Sequence, residues 1–385
     1  MPFPRLLLVT EASVLPDGQG ASRTLHQLFA TYPGPLRIVN AAPAVADGLD
    51  RLQMYRRLIP ERLNHLGAGV ARVRRRADLR LLRSTLRLRR AVRDFGPEII
   101  VACPLGDWGT AMAARAQQLS GAPIVLYLMD DWPGTNPDSR MERLLCDAVG
   151  WLMISEQLKG MVTRRLLLTP PPTLVVHNPA RAASTARRDR AAGIPGPERV
   201  VYAGSIWPMH LDAVELTARA VAVLRDSGRD IEMVIHTTPP FWDAHAEWWE
   251  ALGVVNGGFV SRHELNERLL EADVALLACA FDPDQQHMSR SSVQTKLTDY
   301  MAAGVPILGV GPPDAASIAF VEQWGVGRCC TTPATREVAA TIAATLDGPD
   351  LTELSRHARG VVREHFDPDT VRAQLYDFIQ SVARR

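Results

Sequence analysis

Short, almost wholly apolar runs recur along the chain, separated by longer stretches in which apolar residues return every three or four positions. RLLLVTEA (5–12), LRIVNAA (36–42), EIIVACP (98–104), PIVLYLMDDW (123–132), GWLMIS (150–155) and TLVVHNP (173–179) form the first series. Apolar residues at every position, without the alternation of a half-exposed strand, predict strands buried on both faces in a parallel sheet covered by helices. A second series follows: RVVYAGS (199–205), IEMVIHT (231–237), GVVNGGFV (253–260), ADVALLAC (272–279), VPILGVG (305–311) and GRCC (327–330). Between the two lies NPARAASTARRDRAAGIPGPE (178–198), rich in Ala, Arg, Gly and Pro and without apolar period, which reads as a linker. The pattern predicts an α/β protein of two doubly wound, Rossmann-like domains, 1–180 and 181–365. Their strand carboxyl ends would face a cleft, the usual ligand position in this class.

Composition changes this picture little. The chain has 385 residues, 46% hydrophobic and 22% charged, with a formal net charge of +1. That is a soluble globular balance, and near neutrality argues against a general nucleic-acid binder. The five cysteines, Cys103, Cys146, Cys279, Cys329 and Cys330, have no metal-ligand spacing. The opening MPFPRLLLVTEAS lacks the charged, apolar, small-residue order of a secretion signal, and no segment reaches about 20 apolar residues. A cytoplasmic protein is expected, with no metal and no cofactor.

One segment departs from the alternation. Residues 51–93 carry arginines on a helical period, with Leu79, Leu82 and Leu86 forming an apolar stripe. Ten of these arginines fall within 72–93. A solvated helix face is the plain reading. Docking on an anionic membrane surface from the cytoplasmic side is the sharper one, because basic amphipathic helices gain about 1 kcal/mol per cation there.

The candidate chemistry centres on SSVQTKLTDYMAAGVPILGVG (291–311). Ser291 or Ser292 is expected to cap a helix, leaving first-turn N–H groups, with that of Val293, open to a phosphate. Lys296 would add charge beside them, and Asp299 would accept hydrogen bonds from a ribose hydroxyl. Near the start, Gly18 and Gly20 in LPDGQGASRTLHQL (15–28) would let a ligand come close to the backbone.

KLTDYMAAGVPILGVG resembles the signature of retaining, nucleotide-sugar-dependent glycosyltransferases of the GT-B fold, family four. Asp299 stands where the family has its second, ribose-binding glutamate, and Ser291 stands at the first. The likeness runs through most of the chain in order. LPDGQGASRTLHQL resembles the glycine-rich loop after the first strand, and PIVLYLMDDW the strand ending in a His-Asp pair. VVYAGSIWPMHLDAVELTARAVAVL resembles the opening of the second domain, and GGFVSRHELNERLLEADVALL a later stretch of it. The resemblance implies an acceptor-side first domain and a donor-binding second domain. It also implies a last helix, 366–385, that crosses back to the first.

Departures from the family pattern fall on the chemistry. Asp130 replaces the histidine and is the candidate catalytic-site residue, placed to hydrogen-bond donor sugar or acceptor. The arginine and lysine that hold the donor diphosphate in the family become Ser205 and His210, so positive charge must come from Lys296, Arg290 or a protonated His210. The expected function is transfer of a sugar from a nucleoside diphosphate sugar to a glycan, lipid-linked or small-molecule acceptor, with retention. The alternative is a non-catalytic GT-B subunit that scaffolds a partner enzyme.

Overall fold

The computed structural model describes residues 2–18, 20–41, 45–54, 86–131, 139–183, 196–348 and 351–384. Its chain divides into two compact units: Met1–Ile154 with Val162–Val176 and Arg372–Arg385, and Ser155–Met161 with His177–Val371.

The first unit is built on a seven-stranded parallel sheet in the order β3-β2-β1-β4-β5-β6-β7. Its strands are β1 (Leu6–Thr10), β2 (Leu36–Asn40), β3 (Arg51–Gln53), β4 (Ile99–Cys103), β5 (Ile124–Leu128), β6 (Gly150–Met153) and β7 (Thr173–Val175). Every residue of β1, β4, β5 and β6 is buried, as central parallel strands require. Helices α1 (Ala21–Phe29), α2 (86–95), α3 (Asp107–Ser120) and α4 (Ser139–Asp147) follow in chain order, and α5 (Glu156–Leu166) belongs to this unit only from Val162 onward.

The arginine-rich segment is not helical throughout. Arg51–Gln53 form the edge strand β3, paired with Ile38–Asn40. A strand that contributes only backbone bonds at an edge can carry polar side chains, so no apolar run marks it. Residues 55–85, including Leu79 and Leu82, lie outside the described residues. Leu86 is 63% exposed, and α2 instead turns Leu88 and Val92 to the core. Arg87, Arg89, Arg90 and Arg93 are exposed.

The second unit carries a six-stranded parallel sheet, β10-β9-β8-β11-β12-β13. Its strands are β8 (Glu198–Ala203), β9 (Ile231–His236), β10 (Val255–Asn256), β11 (Val274–Ala278), β12 (Ile307–Val310) and β13 (Gly327–Cys330). The helices used below are α6 (Pro208–Asp226), α7 (Pro239–Asp243), α8 (Ala246–Ala251), α9 (Arg262–Leu270), α10 (Gln286–Ser289), α11 (Thr295–Ala303) and α12 (Ala316–Trp324); α13 (Thr335–Leu346), α14 (Leu351–Val361) and α15 (Pro368–Ala383) close the chain. Strand order reverses between β8 and β11, which are hydrogen-bonded neighbours. Doubly wound sheets bind ligands beyond the strand carboxyl ends at that reversal. Among the described residues, no helix is long and apolar enough to cross a membrane.

Candidate functional site

At the carboxyl end of β8 the chain reads Tyr202-Ala203-Gly204-Ser205. Tyr202 is fully buried, and its hydroxyl donates to the Ser205 carbonyl at 2.8 Å. Tyr300, on α11, ties the same strand end: its hydroxyl accepts from the Ala203 amide at 3.0 Å. These two phenols fix the start of α11 beside β8. Lys296 then extends over the Tyr202 ring, with Nζ 3.8 Å from the centroid and 2.6 Å from the hydroxyl oxygen. No carboxylate pairs with this ammonium among the described residues. Burial pulls the amine down to a pKa of about 7, only partly offset by the Cys279 thiol nearby.

His210, on the first turn of α6, faces the same strand end. Its Nδ1 lies 3.3 Å from the Trp207 amide and 3.2 Å from the Ser205 carbonyl, contacts that suit opposite tautomers, and its Nε2 is buried with no hydrogen-bond partner among the described residues. Burial and the adjacent Lys296 charge push this imidazole down to about 3, against a small opposing pull from the Ser205 carbonyl 3.2 Å from Nδ1. Of the three sources of charge offered by the sequence, a protonated His210 is therefore corrected: at neutral pH the ring is uncharged.

The start of α11 also differs from expectation. The helix begins at Thr295 with Gln294 as cap, not at Ser291 or Ser292. Those serines belong to a turn after α10: both of their amides donate to the Met288 carbonyl. The segment is then held by its carbonyls. Ser155 Oγ donates to Ser291 O at 2.7 Å, Ser317 Oγ to Ser292 O at 3.3 Å, and Asn178 Nδ2 to Val293 O at 3.3 Å. Gln294 Nε2 reaches the Ala278 carbonyl at the end of β11, 2.8 Å away. Ser291 is fully buried and presents no side chain to a ligand. The amides of Val293, Thr295 and Lys296, by contrast, make no protein hydrogen bond among the described residues. They lie at the positive end of the α11 dipole. Arg290, expected as a source of charge, is exposed and occupied by Asp314 at 2.8 Å and by Gln286 Oε1 at 3.0 Å. Asp299 sits one turn beyond Lys296 and is partly exposed.

In the first unit, Gly18 is required by close packing, because a Cβ there would lie 2.1 Å from Ser22 Oγ. Gly20 has φ +50° and precedes α1, a backbone that favours glycine. Asp130 follows β5 and is partly buried. Together with Glu11, it adds to the burial that raises the Cys103 thiol, which places the three groups near one another at the ends of β5, β1 and β4. Glu11 escaped the sequence reading. Its carboxylate accepts from the Leu105 amide, and from the Gly109 amide at 2.8 Å, and so anchors the first turn of α3. The one available signal was an acid directly after a buried strand. Asp131 is spent on Arg165, 2.7 Å away.

No protein-family model and no curated protein sequence matches the chain. Solved structures do match over its length. HepE from Anabaena, in complex with UDP and glucose, is 14% identical, covers 98% of this chain and 100% of its own, and has a TM-score of 0.69. The lipopolysaccharide outer core galactosyltransferase WaaB, in its apo form, is 16% identical over 98% and 99%, with a TM-score of 0.64. The alpha,alpha-trehalose 6-phosphate synthase from Burkholderia multivorans is 13% identical over 99% of each chain, with a TM-score of 0.68. With the two parallel sheets, these likenesses decide the architecture. The fold is GT-B.

Within this GT-B chain, Ser205, His210 and Lys296 gather at the end of β8 in the second unit, beside the open amides of α11. Arg290 and the side chain of Ser291 take no part in that group. Gly18, Gly20 and Asp130 belong to the first unit.

Proposed function

We propose that the chain is a glycosyltransferase whose second unit binds a nucleoside diphosphate sugar at the start of α11. One observation carries this reading. Among the described residues, the half-buried Lys296 ammonium has no carboxylate partner, and the amides of Val293, Thr295 and Lys296 at the start of α11 make no hydrogen bond. An uncompensated buried cation is costly, and an anion relieves that cost. A diphosphate supplies the anion, and as the leaving group it develops further charge in the transition state, where fixed N–H donors lower the barrier. His210 lines the same strand end as an uncharged ring, and Asp299 receives the ribose. HepE was solved with UDP and with UDP-glucose, which makes UDP the first ligand to try. The acceptor belongs to the first unit in this reading, with Gly20 and Asp130 on its side, and the transfer proceeds with retention.

Asp299→Ala is expected to weaken UDP binding by about 10- to 100-fold, the loss of a charge-assisted bond of roughly 1.5–3 kcal/mol. Isothermal titration measures this directly, and unchanged affinity would remove Asp299 from the ribose. A chain that binds no nucleoside diphosphate at all would instead be a GT-B scaffold.

The basic segment 72–93 is proposed to hold the chain on an anionic membrane, where a lipid-linked acceptor would lie. Flotation with anionic vesicles should succeed at low salt and fall steeply as salt shortens the screening length below about 10 Å. Changing Arg74, Arg75 and Arg76 to glutamate should reduce it again. Equal recovery on neutral vesicles would return the segment to a solvated face.

A further inference from the structure

The Lys296 ammonium is held by a phenol, and the geometry of that phenol is specific. Tyr202 sends its hydroxyl proton to the Ser205 carbonyl at 2.8 Å, which turns an oxygen lone pair toward Nζ at 2.6 Å. Its ring lies under the same nitrogen at 3.8 Å, so one side chain supplies both a hydrogen-bond acceptor and a cation–π surface. Gly204 completes the seat. Its φ is +128°, it is exposed, and a Cβ there would stand 3.3 Å from both Cε and Nζ of Lys296. The other titratable groups nearby are the Cys279 thiol, raised to about 12, the neutral His210 on α6, Tyr300, and Asp299 on the same helix. Tyr202 is the hydrogen-bond partner of Nζ among the described residues, which leaves two ammonium protons for a ligand.

We propose that Tyr202 is a positioning residue that holds the Lys296 ammonium, through ring and hydroxyl together, where it meets the diphosphate of the donor. This rests on the donor site proposed above.

Tyr202→Phe keeps the ring and the core volume and removes only the hydroxyl. The ammonium then loses its acceptor, and the titration midpoint of Lys296 should fall by about one pH unit. Lysine labelled with carbon-13 at Cε reports that midpoint by NMR without any ligand, with the Lys296 signal assigned by its loss in Lys296→Met. UDP affinity, measured by isothermal titration, should fall about tenfold at pH 8 and about twofold at pH 6, as a smaller protonated fraction implies. In a Lys296→Met background, Tyr202→Phe should cost nothing further. An unchanged midpoint in Tyr202→Phe, or an equal loss of UDP affinity with and without Lys296, would overturn the proposal. A lowered midpoint in a protein that binds no nucleoside diphosphate would uphold the hold of Tyr202 on Lys296 and overturn its purpose, along with the donor reading.

Discussion

Lys296→Met is expected to weaken UDP binding by about 10- to 100-fold near pH 6.5 while making the free protein more resistant to heat. The two effects share one cause. Among the described residues the half-buried ammonium meets no carboxylate, so it strengthens an anion complex and burdens the empty chain. Its amine titrates near pH 7 in the folded chain, against 10.5 for an ordinary lysine. Between those values the unfolded chain holds one more proton, so the contribution of this group to stability rises with pH across that window. Methionine fills similar space, carries no charge and removes that slope. Melting curves at pH 7 and pH 9, with and without UDP, check both halves. A variant that loses stability and keeps its UDP affinity would show that Lys296 is structural.

Removing residues 372–385 is expected to abolish folding of the first unit and spare the second. Leu375 and Ile379 are wholly buried, Val382 nearly so, and Phe378 approaches Gly150 so closely that a Cβ there would lie 2.9 Å from its ring. Tyr376 donates to the Leu28 carbonyl at 2.7 Å and packs edge-on to Tyr32 at 5.3 Å. Each large apolar residue removed from a core costs about 2–5 kcal/mol, and several together exceed the roughly 5–15 kcal/mol that stabilises a domain. Hydrogen exchange of the truncated chain should therefore find β1, β4 and β5 unprotected and β8 and β11 still protected. Full protection of β1 would mean that the final turns of α15 contribute little.

The sheets were largely legible because central parallel strands must be apolar at every position, a pattern that survives in sequence alone. β3 was not, since an edge strand of Arg51, Leu52 and Gln53 needs only its backbone. The α11 start was misplaced for a related reason. Ser291 and Ser292 are favoured caps, yet tertiary contacts from Ser155, Ser317 and Asn178 hold their segment in a turn and postpone the helix to Thr295. Lys296 stood out as a cation in the motif. Its phenolic partner, Tyr202, lies about ninety positions away and was not readable. A charged His210 was one of three options because sequence shows the residue type, whereas its state is set by burial and by Lys296.

A nucleoside diphosphate held by the second unit at the start of α11 is the proposal on which the function rests. Thermal unfolding of the wild-type chain with UDP, GDP and ADP, each beside the same concentration of the parent nucleoside, tests it most directly. At about 100 times its dissociation constant, the correct diphosphate should stabilise by roughly 2.7 kcal/mol, a rise in melting temperature of about 5–10 °C, and its nucleoside should do far less. In Lys296→Met, 10- to 100-fold weaker binding should cut the stabilisation to roughly 0.4–1.4 kcal/mol. No rise with any diphosphate, or an equal rise in that variant, would contradict a diphosphate site at the start of α11.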